Sequence, residues 1–302
     1  MEKIKKKIWD HEFDFFFFKF VTPSQFLLKK FLGMCMDFKV KDFNVRLRTI
    51  TLLEAAIAII IAIFLSGYIY NFIGFRNEEF FSIIFDVLIM LFFVIACSGT
   101  RGFSRDLDQV FEFSSIFKIV GLAIVDFLFC GLLMGFCSAL GLGFHIDYSS
   151  FLMAAGPGLG DPISLFLGFI AAVFIAPIAE ELMFRGVLFN RLKIRMGAPW
   201  AILISSAIFG SLHFYGGAPF LHVLTATTFG MLMCVFFMRY DNILMNIAVH
   251  FLGNLMVYIN DYTPLMSIIN YYPFSDIFGF LCLFSVVFVP TYIIYYARKY
   301  NH

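Results

Sequence analysis

Long apolar runs broken by short polar stretches repeat along the whole chain. A membrane-spanning helix needs about 20 apolar residues. Eight runs meet or approach that length, at about 51–73, 80–97, 117–141, 163–190, 199–214, 219–238, 241–259 and 275–297. The fifth is short and the fourth is long. No fixed-period repeat and no low-complexity linker interrupts them. The pattern predicts an all-α, polytopic membrane helix bundle of about eight transmembrane helices.

Composition leads to the same place by another route. Of 302 residues, 61% are hydrophobic and only 14% are charged, where soluble domains run nearer half and a quarter. A water-soluble globule of this size has too much surface to hide that much apolar material, and a disordered chain would be polar. The net charge of +1 creates no global field for nucleic acid, so none is expected as a partner.

The few charges that remain are sorted. Of the 22 Lys and Arg, 21 fall in segments that an eight-span topology places on one side, and only Arg76 falls on the other. Basic residues mark the cytosolic side, so both termini are expected there. Residues 1–50 are read as a cytosolic or interfacial amphipathic N-terminal segment, and 51–302 as the membrane domain. No cleavable signal peptide is visible. The cysteines form no CxxC pair and are expected to be buried thiols.

Ionisable side chains in hydrocarbon are costly and usually functional. Glu54 sits near a span end, where snorkelling to the interface accounts for it. Asp86 and Asp126 are isolated, and each is expected to hydrogen-bond a neighbouring helix. His222, near the outer end of the sixth span, is read as structural. The rest cluster in spans four to seven, in three short patterns.

The first pattern is Glu180-Glu181-Leu-Met-Phe-Arg185. Glu181 and Arg185 are four apart and share a helix face, so they can neutralise each other. Glu180 is rotated about 100° away and lacks that partner. Pro177 removes a backbone donor just before it. The second is Phe209-Gly-Ser-Leu-His213, and the third is His250-Phe-Leu-Gly-Asn254. In both, the paired residues share a face. At about 1.5 Å per residue, Glu180 lies roughly 22 Å from the cytosolic end of its helix, His213 roughly 21 Å, His250 roughly 14 Å and Asn254 roughly 20 Å. One carboxylate, two imidazoles and an amide can thus meet at one depth. A carboxylate and an imidazole sharing a water make a nucleophile. A second imidazole and an amide can stabilise the oxyanion formed when that water attacks a peptide bond.

These patterns resemble the CPBP intramembrane proteases, the family of the type II CAAX prenyl endopeptidases and of bacterial abortive-infection and bacteriocin-processing proteins. Its motifs are EExxxR, FxxxH and HxxxN or HxxxD on successive helices. Each alone is common, but all three in order are specific. The resemblance covers about residues 163–259. It implies a metal-independent glutamic-type endopeptidase in which Glu180 and His213 activate water and His250 and Asn254 form the oxyanion hole. Glu181, Arg185 and Phe209 would support the site, and its cavity would open toward the cytosol. A peptide or protein substrate would enter from the cytosol or the bilayer. No cofactor is expected, although Glu180, His213 and His250 would also suit a catalytic zinc ion. The other alternative is a non-proteolytic scaffold or immunity-type regulator.

Two further signals stand in the sequence. Gly158-Leu-Gly160-Asp161 and Tyr240-Asp241 match the GxGD and YD of aspartyl intramembrane proteases, but they occur in reversed order and at opposite membrane faces. Phe-Tyr-Gly-Gly follows His213, where eukaryotic CAAX enzymes carry further histidines. That favours a bacterial cell-membrane, multi-pass protein (an endoplasmic-reticulum one if eukaryotic) that processes small peptides or membrane-associated proteins.

Overall fold

The computed structural model describes residues 40–139, 162–214, 219–262 and 274–300. Ten helices account for nearly all of them. The two short ones are α1 (Phe43–Thr49) and α4 (Phe103–Val110). The long ones are α2 (Leu52–Ile73), α3 (Glu78–Ala96), α5 (Phe113–Ala139), α6 (Pro162–Met196), α7 (Ala198–Ser211), α8 (Pro219–Tyr240), α9 (Ile243–Tyr262) and α10 (Phe274–Lys299). These eight coincide with the eight apolar runs. Six contain a stretch long and apolar enough to cross a membrane, and α7 and the apolar part of α9 are shorter. The protein is a helical membrane bundle.

Local chemistry sets the ends. Asp42 caps α1 by accepting the Val45 N–H at 3.0 Å. Thr51 and Glu54 form a capping box on α2, the Thr51 hydroxyl accepting from Glu54 N at 3.1 Å and the Glu54 carboxylate accepting from Thr51 N at 2.5 Å. This satisfies donors that a helix start otherwise leaves open. Asn77 caps α3. Between α6 and α7 the chain reverses at Gly197, whose φ of +81° is open to glycine and costly for other residues. Pro199 then sits in the first turn of α7, where its missing N–H is harmless.

The capping box corrects the expectation for Glu54. It is buried rather than snorkelling, and its carboxylate lies 3.6 Å from the buried Arg46 guanidinium. Arg46 also donates to the Ala96 carbonyl at 3.0 Å. Helix α1 is thereby held inside the bundle, with Phe43, Leu47 and Ile50 buried. Arg191 of α6 donates to the Thr49 and Ile50 carbonyls, so it closes the open end of α1. The interfacial segment expected before residue 40, Cys35, the loop bearing Asp161 and the side chains of Cys137 and Cys282 lie outside the described residues. Asp241 pairs with Arg48. The thiols of Cys97, Cys130 and Cys234 are free.

Among the described residues two apolar cores run through the bundle. One joins α1, α2, α3, α6 and α7 to one face of α8 through residues such as Phe93, Phe189, Ile202 and Phe237. The other joins α5, α8, α9 and α10 through Leu122, Phe236, Val249 and Val289. Helices α7 and α8 approach most closely where small residues face each other. A Cβ on Gly210 would come within 2.0 Å of Thr227 Oγ1 and 2.6 Å of the Val223 carbonyl, and one on Gly230 within 2.9 Å of Ser206 Cβ. Lipid tails are as apolar as leucine, so close packing of small residues is a main source of helix association in a membrane.

Candidate active site

Helix α6 carries the first motif, and it is not a uniform α-helix. Ile170–Ile175 and Leu182–Phe189 are π-helical, and the α-helical segment Ala176–Glu181 lies between them. π turns are rare and occur frequently at functional sites. Pro177 lies in the α-helical segment between the two π stretches. Pro177 has no N–H, so π spacing leaves the Ala172 carbonyl, five residues earlier, without its backbone donor. Asn254 of α9 supplies one, its Nδ2 donating to Ala172 O at 2.7 Å. At the far end Asn190 donates to the Arg185 and Gly186 carbonyls, each at 3.0 Å.

The two glutamates on this segment have different surroundings. Glu181 is fully buried, with 0% of its side chain exposed, whereas Glu180 keeps 27%. Glu181 accepts from Arg185 Nη1 at 2.8 Å, as the spacing of four predicts, and from His250 Nδ1 at 2.9 Å and Asn246 Nδ2 at 3.3 Å. Because a carboxylate only accepts, the His250 proton facing it is on Nδ1. That orients the other ring nitrogen, Nε2, toward Glu180, whose Oε2 lies 3.6 Å away. Glu180 therefore has a neighbour that the sequence did not assign to it. Glu181 and Glu180 are linked through one imidazole ring.

Arg185 completes its surroundings without further hydrogen bonds. Its Nε and Nη2 have no acceptor among the described residues. The guanidinium instead lies 4.6 Å from the Phe209 ring centroid and 5.9 Å from that of Phe229. The negative face of an aromatic ring attracts a cation, most strongly where water is excluded. The Phe209 ring also lies 4.7 Å from the His213 ring and 5.0 Å from Phe184. Phe229 packs on His250 at 4.7 Å. The second motif thus reaches the first through the Phe209 ring.

His213 follows the last turn of α7. Its Nδ1 meets the Phe209 carbonyl at 2.9 Å. A carbonyl only accepts, so Nδ1 bears the proton and Nε2 is the basic nitrogen of the neutral ring. His250 and Asn254 share a face of α9, as expected, but they engage different parts of α6: the ring meets the glutamates and the amide meets Ala172.

Three further residues belong here. Asn246 stands one turn before His250, so the third motif extends backward at the same spacing of four. Phe229 carries no sequence signal of its own. Asp86 of α3 is not isolated, since α3 packs on the middle of α6 and Glu180 is its charged neighbour. Asp126, by contrast, is buried on α5 beside Cys130. Among the described residues no three His, Cys, Asp or Glu side chains are grouped so as to hold a metal ion.

Comparison with known proteins falls on this same region. Residues 162–256 match the family described as Type II CAAX prenyl endopeptidase Rce1-like. That segment, less than half of the chain, holds all three motifs. The chain is also similar to "Putative membrane peptidase YdiL" of Bacillus subtilis (strain 168), with 32% identity over 98 residues, which is 32% of this chain and 38% of that protein. No solved structure matches.

Proposed function

We propose, from the premise that residues 162–256 form an Rce1-like segment, that this membrane protein is an intramembrane endopeptidase of the glutamic type. The observation that carries the proposal is the chain Arg185–Glu181–His250–Glu180. It holds one histidine rigidly by Nδ1 and turns its other nitrogen toward the more accessible of two adjacent carboxylates. An ion pair that served only to join helices would not need the second carboxylate.

In this mechanism Glu180 takes a proton from water, with His213 Nε2 as the second basic group that positions it. The water oxygen bonds to the carbonyl carbon of the scissile peptide, whose oxygen becomes an oxyanion. His250 stabilises that oxyanion through Nε2, and Asn254 donates the amide hydrogen not used on Ala172. The proton held by Glu180 passes to the leaving nitrogen as the C–N bond breaks, giving a carboxylic acid and an amine. Glu181, neutralised by Arg185, keeps the His250 ring in place. Small peptides or membrane-associated proteins are the proposed substrates, in a bacterial cell membrane with both termini cytosolic.

The test uses purified full-length protein and a quenched-fluorescence peptide library. Turnover should vanish in Glu180→Ala and His213→Ala and persist in chelator. Turnover that survives both substitutions would remove the mechanism. Loss in chelator with recovery on added zinc would replace it with metal chemistry. No turnover with any peptide, from a correctly folded protein, would favour a scaffold.

A further inference from the structure

A groove of about 420 Å³ lies away from the Glu180 site, along the last turns of α8 and α10. One face of α10 forms its wall. Phe284, Val287 and Phe288 line the apolar part, and Thr291, Tyr292 and Tyr296 follow toward the helix end, where Arg239 of α8 closes it. From Phe284 to Tyr296 the helix rises roughly 18 Å, slightly more than half of the ~30 Å hydrocarbon core. The groove is therefore about one leaflet deep. Its apolar wall faces outward, with Phe284 55% and Val287 68% exposed.

Among the described residues no carboxylate neutralises the basic end of this groove. The Arg239 guanidinium lies 5.1 Å from the Tyr240 ring centroid, 5.0 Å from Tyr296 and 6.0 Å from Tyr292. Lys118 of α5 sits 5.2 Å over Tyr240, and Lys299 sits 5.7 Å over Tyr296. Among the described residues none of these three cations pairs with a carboxylate, whereas Arg46, Arg48, Arg105 and Arg185 each do. Tyrosine rings hold the cations in place but do not neutralise them. An anion completes the site electrically, and the groove below it accommodates an alkyl chain.

We propose that this groove binds an anionic phospholipid of the leaflet at the basic end of the bundle. Its phosphate meets Arg239, flanked by Lys118 and Lys299, and one acyl chain runs along α10 past Val287. Clusters of basic residues at helix ends recognise acidic headgroups. A neutral lipid would use the chain groove alone, and free phosphate only the cations.

The experiment is native mass spectrometry of the full chain in detergent. Phosphatidylglycerol, phosphatidylcholine of the same chains, or inorganic phosphate is added to it. Phosphatidylglycerol should be retained in preference to phosphatidylcholine. Arg239→Gln should weaken its retention about fivefold, the effect of one basic residue at a lipid surface, and Arg239→Lys should restore most of it. Val287→Trp, at an exposed position that tolerates bulk, should block retention while leaving the cations and the unfolding temperature unchanged. Equal retention of both lipids, indifference to Val287→Trp, or full competition by inorganic phosphate would each overturn the proposal.

Discussion

Among the described residues the bundle buries two Arg–Glu pairs, and they end differently. At the basic end Arg46 and Glu54 approach to 3.6 Å, and their other partners are local: Arg46 donates to the Ala96 carbonyl and the Thr49 hydroxyl, and Glu54 accepts from the Thr51 N–H. Every branch of that network stops at a peptide group or at the Thr49 hydroxyl, which itself donates back to the Arg46 carbonyl. In the middle of the bundle Arg185 and Glu181 approach to 2.8 Å, and the network continues through His250 to Glu180, a carboxylate that retains exposure. Burial and pairing are common to both. What separates a structural joint from a candidate reactive centre is whether the network ends on amides and a hydroxyl or on a second carboxylate that can accept a proton. Removing one partner of a buried ion pair costs about 3–5 kcal/mol, so both pairs should matter for stability, but only one should matter for turnover.

The largest separation between the two regions is expected for Glu180→Gln. Losing a general base lowers kcat by about 10²- to 10⁴-fold, and the unfolding temperature should stay near that of the parent because Glu180 is not needed to neutralise Arg185. A joint fall in stability and rate would place Glu180 in the structural class. Next come Arg185→Met and Arg46→Met, each stranding a buried glutamate at about 3–5 kcal/mol. Rates normalised to the folded fraction should collapse in the first and persist in the second. Equal rates in the two variants would erase the distinction. Gly210→Ala should have a smaller effect. Its methyl meets a backbone carbonyl that cannot rotate away, an overpacking of about 1–3 kcal/mol. It should also lower kcat, because His213 is three residues farther along the chain. Wild-type kinetics in this variant would show that α7 holds His213 independently of its contact with α8. The smallest effect is expected for Thr51→Ala, which removes the capping box for about 1 kcal/mol and should leave kcat untouched.

These residues also show which features the sequence alone could supply. The helices were legible because apolar run length is a local property, and all eight runs became helices with ends shifted by a few residues. The Glu181–Arg185 pair was legible because a spacing of four places both on one face. Asn246 could have been found by the same rule, one turn before His250. Glu54 was misread because its partner, Arg46, lies on a different helix, and a span end with one acid looks the same whether the acid faces lipid headgroups or a buried guanidinium. The Glu180–His250 approach depends on how α9 docks against α6. Arg191, one of the 21 basic residues expected on the cytosolic side, shows no sign of its role in the sequence because its acceptors are peptide carbonyls, which every residue has. The π stretches carried one visible sign, Pro177, and the asparagine that answers it is on another helix.

The Arg185–Glu181 pairing has a consequence for how the chain is made. A helix bearing two acids and a base would enter a bilayer reluctantly if each charge had to find its partner elsewhere. Here the counter-ion of Glu181 lies one turn away on the same segment, so α6 can leave the ribosome and the insertion machinery with that acid already neutralised, before α8 and α9 have been synthesised. Only then do His250 and Asn246 arrive to complete its hydrogen bonds. Biogenesis would thus supply the inert half of the centre first, and the imidazole facing Glu180 last.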